Sequence, residues 1–212
     1  TMMVAQQLYE GIDITGAGPV GLITYMRTDS TRISENAIQM ARGYISENFK
    51  PDYLPETPNI YKAKKSAQDA HEAIRPSDVH RTPDSIKGDL SRDQYRLYDL
   101  IWRRFVASQM TAEVTETITV NLECEDYIFR ANGNRVLFPG FTEVEKQSKS
   151  EKSALPSLKE KELVEVDAVI PEQHFTTPPP RYNDASLVKF LEESGIGRHS
   201  TYEPTIYTLQ KR

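Results

Sequence analysis

At 212 residues, 38% hydrophobic and 27% charged, the chain has length for one or two domains with real cores and a composition ordinary for a soluble protein. It has no apolar run long enough to span a bilayer, and its single cysteine, Cys124, excludes both an internal disulfide and a Cys-rich zinc site, which points to a reducing cytoplasm. The net charge of −5 runs against a broadly adhesive polyanion binder, so any phosphate binding has to come from a focused groove.

The first residues, Thr1 to Gly11, read as the last turns of a helix stopped by glycine and not as a secretory signal, so the chain reads as starting inside a longer protein. Leu22 and Ile23 are β-inclined, and Asp29, Ser30 and Thr31 are turn and cap formers, which predicts that Tyr25 sits where a short extended segment feeds a helix. Ser34 caps a helical stripe of Ala37, Ile38, Ala41, Ile45 and Phe49 that ends before Pro51, and a loop rich in proline follows. Residues 71–75 are read as the end of a further helix, broken by Pro76. Ser91 with Gln94 forms a capping box for a helix carrying Leu97, Tyr98, Ile101, Trp102, Phe105 and Met110 on one face. Trp102 is the sort of ring on which a base stacks, but within so regular a stripe packing is the better reading.

From Val114 the period changes to two. Ile118, Val120, Leu122 and Cys124 alternate with polar residues, which predicts a half-buried strand with Cys124 as an inert core thiol. Asn132-Gly133-Asn134 has the composition of a tight hairpin turn between Tyr127–Ala131 and Arg135–Phe138, and Val164 to Ile170 alternate again. Thr176 to Pro180 reads as a stiff linker. Asn183 or Asp184 then caps a helix with Leu187, Val188, Phe190 and Leu191, Gly195 stops it, and Ser200 or Thr201 opens another. The order predicts an α+β fold in several domains, helical over 1–112, β-rich over 113–178 and helical again, helix-turn-helix-like, over 179–212.

Three blocks carry chemistry. The first is Thr24-Tyr25-Met26-Arg27-Thr28-Asp29-Ser30. A phenol attacking a phosphodiester forms a linkage that conserves the energy of the bond it breaks, and an adjacent arginine can hold the phosphate through paired charge-assisted hydrogen bonds. A phenol titrates near ~10, so at neutral pH the attack needs help in losing the proton or in neutralising the phosphate. The second block is Ala70-His71-Glu72-Ala73-Ile74-Arg75-Pro76-Ser77, and the third runs from Arg181-Tyr182-Asn183-Asp184 into Gly195-Ile196-Gly197-Arg198-His199-Ser200-Thr201-Tyr202. Singly each has a bland reading, as packing tyrosine, structural histidine and solvated arginine. Together, in this order, they resemble the type IA DNA topoisomerases and within them the bacterial topoisomerase I branch, not topoisomerase III or reverse gyrase.

That resemblance covers nearly the whole chain. It implies a winged-helix-like helical domain carrying the nucleophile, part of a β-rich hinge or barrel, and the start of a helical DNA-binding piece. It implies transient cleavage of one DNA strand through a 5′-phosphate link to Tyr25, strand passage and resealing, with Arg27 and His71 as catalytic partners. DNA contacts fall to Arg27, Arg75, Arg181, Arg198, Ser200 and Thr201. DNA, single-stranded at the cleavage site, is the implied partner of a monomeric protein. Mg2+ is the implied cofactor, held by an acidic amino-terminal domain, so its ligands lie outside this chain and no metal residue is assigned within it. The isolated chain is then expected to be inactive. His199 stands where the family usually has proline. The alternative is a noncatalytic module that binds single-stranded nucleic acid, with Tyr25 stacking on a base.

Overall fold

The computed structural model describes residues 1–28, 30–61, 71–145, 155, 156 and 158–212, and their side chains except that of His199. Two units form, Thr1–Leu155 and Pro156–Arg212, and each is described by itself.

In the first unit, helix α1, Met2–Glu10, ends at Gly11, as its composition indicates. A small hairpin follows, β1 Ile12–Ile14 paired antiparallel with β2 Gly18–Val20. Strands of three residues are too short to show alternation, so the sequence reading missed them. The Ser34 hydroxyl accepts from the Ala37 N–H at the start of α2, Glu35–Asn48, whose Ala37, Ile38, Ala41 and Ile45 are buried as the stripe predicts. Ser91 and Gln94 make both bonds of a capping box for α3, Arg92–Ser108, at 3.4 Å and 2.9 Å.

Helix α3 is the spine of the core. Its Tyr98, Trp102, Phe105 and Val106 join Ala5 and Leu8 of α1, Ala41 and Ile45 of α2, and Leu22, Ile23 and Met26 of the segment before α2 in one apolar cluster. Trp102 belongs to this packing: its indole N–H donates to the Val79 carbonyl at 2.8 Å and its ring meets Tyr44 edge-on at 5.3 Å. The Tyr98 hydroxyl donates to the Arg81 carbonyl at 2.7 Å.

The β portion departs from the sequence reading in three ways. Strands β3, Val114–Cys124, and β4, Tyr127–Phe138, form one long antiparallel hairpin that turns at Glu125-Asp126, where Glu125 has φ 52°. Asn132-Gly133-Asn134 is not a turn; it lies inside β4, with Gly133 opposite Ile118. Two residues between the terminal Cys124–Tyr127 pair suffice to reverse the chain, and eleven residues of β3 need an unbroken partner, so ladder pairing overrides local turn composition. Cys124 is exposed and not a core thiol, because it sits beside that turn at the open end of the hairpin. Val164–Ile170 forms no strand: alternation needs a neighbouring strand to become a ladder, and among the described residues none pairs with it.

Gly140 fastens the base of the hairpin to the helical core. Its φ is 51°, and a Cβ there would lie 2.4 Å from the Ala112 carbonyl oxygen, so only glycine fits. The next residue, Phe141, donates its N–H to the Thr111 carbonyl at 2.8 Å.

In the second unit Asn183 caps α4, Asp184–Glu193, accepting from the Ser186 N–H at 2.8 Å. The Ile196 N–H returns to the Leu191 carbonyl at 2.8 Å to close the helix at Gly195. Helix α5, His199–Lys211, begins just ahead of the expected Ser200 or Thr201, with Arg198 as its N-cap. The Gln210 side chain donates to Asp184 at 3.1 Å, bringing the end of α5 back to the start of α4. Residues 171–183, including the triple proline, have no regular secondary structure.

Candidate active site

The segment carrying Tyr25 is clamped from both sides. Towards α1, the Leu22 N–H donates to the Leu8 carbonyl at 2.7 Å, and Gly21 approaches the helix so closely that a Cβ would sit 2.7 Å from the Tyr9 carbonyl oxygen. On the other side it runs antiparallel to residues 73–77: the Thr24 N–H donates to the Arg75 carbonyl at 3.0 Å and the Ser77 N–H to the Leu22 carbonyl at 2.9 Å. The Thr24 hydroxyl donates to the Ala73 carbonyl at 2.7 Å and accepts from the Arg75 N–H at 3.0 Å. The Ser77 hydroxyl donates to the Gly21 carbonyl at 2.6 Å.

This pairing corrects the reading of residues 71–75 as helix. Pro76 disfavours helical backbone at Arg75, and the backbone groups of Ala73, Arg75 and Ser77 are taken up by Leu22, Thr24 and Arg32 instead of by an i−4 ladder. The extended part of the expectation for Tyr25 holds, since Ile23 bridges Pro76. The helix comes later than expected: the Ser30 N–H turns back to the Thr28 hydroxyl at 3.0 Å and the Arg32 N–H to the Ser30 hydroxyl at 3.1 Å, so α2 starts only at Glu35. Asp29, with its expected capping role, and residues 62–70, which include Ala70 of the second block, lie outside the described residues.

The clamp assembles a row of rings. Tyr25, half-buried, has the exposed His71 imidazole on one flank, centroids 5.0 Å apart and planes at 40°, and Tyr9 on another at 5.4 Å and 70°. Tyr25 and His71, far apart in sequence, are thus neighbours, and Tyr9 is a member the sequence reading did not select. Its only local signal is its place in the last turn of α1, before the glycine that ends it.

Four tyrosines of the unit are poor candidates for an attacking phenol. Burial pushes Tyr98, Tyr44 and Tyr53 above the ordinary phenol range, with the Asp78 and Glu143 carboxylates adding to the shift at Tyr98 and Tyr53. At Tyr95 the hydrogen bond to Asp84 does the same. Each holds its proton more tightly than a free phenol.

The candidate cations differ in availability. Arg27 is exposed and has no ion pair among the described residues. Arg75 is committed: its guanidinium meets Glu72 through two contacts of 2.8 Å and donates to the Pro76 carbonyl at 3.1 Å, with only 15% of the side chain exposed. These contacts tie residues 72, 75 and 76 together beside the Tyr25 segment. Arg181, Arg198, Ser200 and Thr201 all lie in the second unit and are exposed. The Thr201 hydroxyl accepts from the Arg198 N–H at 2.8 Å and donates to the Arg198 carbonyl at 3.0 Å, so it caps α5 and is not an idle donor. Among the described residues no group of three His, Cys, Asp or Glu side chains is placed to hold a metal ion. No helix is long and apolar enough to cross a membrane, among the described residues.

Comparison with known proteins bears on these observations directly. A family model for DNA topoisomerase matches residues 1–212. The crystal structure of full-length topoisomerase I from Thermotoga maritima superposes with a TM-score of 0.78 at 40% sequence identity, over 98% of this chain and 33% of that one. The chain therefore belongs to the DNA topoisomerase family, and its likeness is to the bacterial type IA enzymes. It spans about a third of the length of the Thermotoga protein.

Proposed function

We propose that this chain is the central part of a type IA DNA topoisomerase, a magnesium-dependent isomerase that needs no ATP, in which Tyr25 is the nucleophile. The Tyr25 oxygen bonds to the phosphorus of a DNA phosphodiester, the bond to the neighbouring 3′ oxygen breaks, and the phenolic proton is lost as the 3′ hydroxyl gains one. The broken strand is left with a free 3′ hydroxyl and a 5′ phosphate on Tyr25, and reversal after passage of another strand reseals it, relaxing negative supercoils. The observation that carries this reading is the Tyr25–His71 ring pair, held by the zipper between residues 21–24 and 73–77 inside a chain of this family.

His71 borders the phenol and orients it, and Arg27 is the exposed cation that meets the phosphate. Residues 1–112 act as the winged-helix-like domain that carries the nucleophile, 113–178 as part of the hinge and 179–212 as a DNA-binding piece with Arg181 and Arg198 on phosphates. The Mg2+ ligands lie outside this chain, so the chain alone neither cleaves nor relaxes DNA. The working protein is monomeric and cytoplasmic and acts where DNA is single-stranded. The test is to trap the covalent adduct of the full-length protein with a labelled oligonucleotide and map it by mass spectrometry. DNA on the peptide containing Tyr25 supports the reading; noncovalent binding with no adduct supports the noncatalytic module.

Arg27→Ala in the full-length protein lowers the cleavage rate about 10²–10³-fold, the scale for losing one donor aimed at developing charge. Arg27→Lys separates fork from charge: full recovery means a point charge suffices, and a loss equal to that of alanine means the planar guanidinium is needed. Normal single-turnover cleavage in both variants removes Arg27 from the site.

Arg198→Ala weakens single-strand binding and reduces the slope of log affinity against log salt by about 1, as expected for one lost phosphate contact. Cleavage at saturating DNA stays unchanged. Affinities measured at several salt concentrations decide it, since an unaltered slope makes Arg198 a solvated surface charge.

A further inference from the structure

Tyr9 presents a large ring that is 42% exposed, and therefore adds little to the core, yet its ring packs edge-on against Tyr25 at 5.4 Å and 70°. The two residues are tied through backbone as well as side chain. Leu8 and Leu22 are both fully buried and joined by the 2.7 Å hydrogen bond from the Leu22 N–H to the Leu8 carbonyl. Gly21 lies against the Tyr9 carbonyl with no room for a Cβ. The end of α1 therefore cannot slide along the Tyr25 segment without breaking the contacts at Leu8 and at the Tyr9 carbonyl. With His71 on another flank at 5.0 Å, the Tyr25 ring is bounded by two rings on different elements, and its freedom to swing is small.

We propose that Tyr9 is a positioning residue for the Tyr25 nucleophile: its ring edge fixes the plane of the phenol so that the oxygen is presented to the phosphorus in line. The inference rests on the reading of Tyr25 given under the proposed function. An aromatic edge is what the site requires of Tyr9, and its hydroxyl is dispensable. Misplacing a reacting atom by about 1 Å costs on the order of 10²-fold in rate, whereas binding of the DNA backbone, made elsewhere, is untouched.

The experiment uses the full-length protein with Mg2+, measuring single-turnover cleavage of an end-labelled oligonucleotide at saturating DNA, and affinity separately. Tyr9→Ala and Tyr9→Leu are expected to cleave about 10–100-fold more slowly, with affinity within about twofold of the parent, and Tyr9→Phe to cleave at close to the parental rate. Leucine keeps the apolar volume, so the comparison stands even where alanine loosens α1. Parental rates in both the alanine and leucine variants overturn the inference, as does a phenylalanine variant as slow as alanine, which would assign the work to the hydroxyl. Tyr25→Phe is run alongside: an adduct that persists in it overturns the reading of Tyr25 and this inference with it. Loss of the adduct there, with parental rates in the Tyr9 variants, removes only the role of Tyr9.

Discussion

Tyr25→Phe in the full-length protein is expected to abolish the proposed covalent protein–DNA adduct, a fall on the order of 10⁶-fold on the scale for deleting an enzyme's nucleophile. The change removes one hydroxyl, and among the described residues that hydroxyl has no hydrogen-bond partner to strand. The ring contacts with Tyr9 and His71 remain available to phenylalanine, so folding stability changes by less than about 0.5 kcal/mol. Affinity for single-stranded DNA is expected to stay near that of the parent, because the proposed phosphate contacts are arginines and do not include the Tyr25 hydroxyl. The measurement is a denaturing gel of end-labelled DNA after trapping, paired with a binding titration. A Phe variant that still carries label after denaturation assigns the nucleophile elsewhere, and one that loses affinity in step with the adduct turns Tyr25 into a stacking residue.

Trp102→Ala is the largest expected loss of stability. The ring is 7% exposed, sits edge-on against Tyr44 and gives its N–H to Val79, which is itself 1% exposed. Truncation opens a cavity in the middle of the α3 packing and leaves the buried Val79 carbonyl unpaired, which together cost about 3–5 kcal/mol. For a protein of this size that lowers Tm by roughly 10 °C. Trp102→Phe refills most of the volume without restoring the hydrogen bond and falls between. Thermal unfolding of the three proteins checks this. Unchanged unfolding accompanied by weaker single-strand binding would make Trp102 the base platform that its burial argues against.

The helices were legible in the sequence because their signals are local. Ser34 and Ser91 each pair a side-chain cap with an apolar stripe within a few turns and form the capping bond as expected, and of the two candidates Asn183 and Asp184 it is Asn183 that caps α4. The family was legible for another reason: the blocks around Tyr25, His71 and Arg198 resemble the type IA topoisomerases, and that carried what spacing alone could not. Where an element depends on a distant partner, the reading failed. Residues 71–77 look like a helix end until Leu22 and Thr24 claim their backbone, and Asn132-Gly133-Asn134 looks like a turn until β3 is laid beside it.

The sequence by itself determined the caps at Ser34 and Ser91, the helical faces that build the core and the change of period at Val114, all properties of neighbouring residues, and a resemblance carried by three separated blocks singled out Tyr25 as the candidate nucleophile. Only the tertiary structure decided that Tyr25 lies against both Tyr9 and His71, that Arg75 is paired with Glu72 while Arg27 has no ion pair among the described residues, and that the hairpin turns at Glu125-Asp126. Those outcomes turn on which segment supplies a backbone's hydrogen-bond partner or a ring's neighbour across tens of residues. Closing the chain over such distances is favoured by the buried cluster around α3, a sum of contacts from every element that no local window contains.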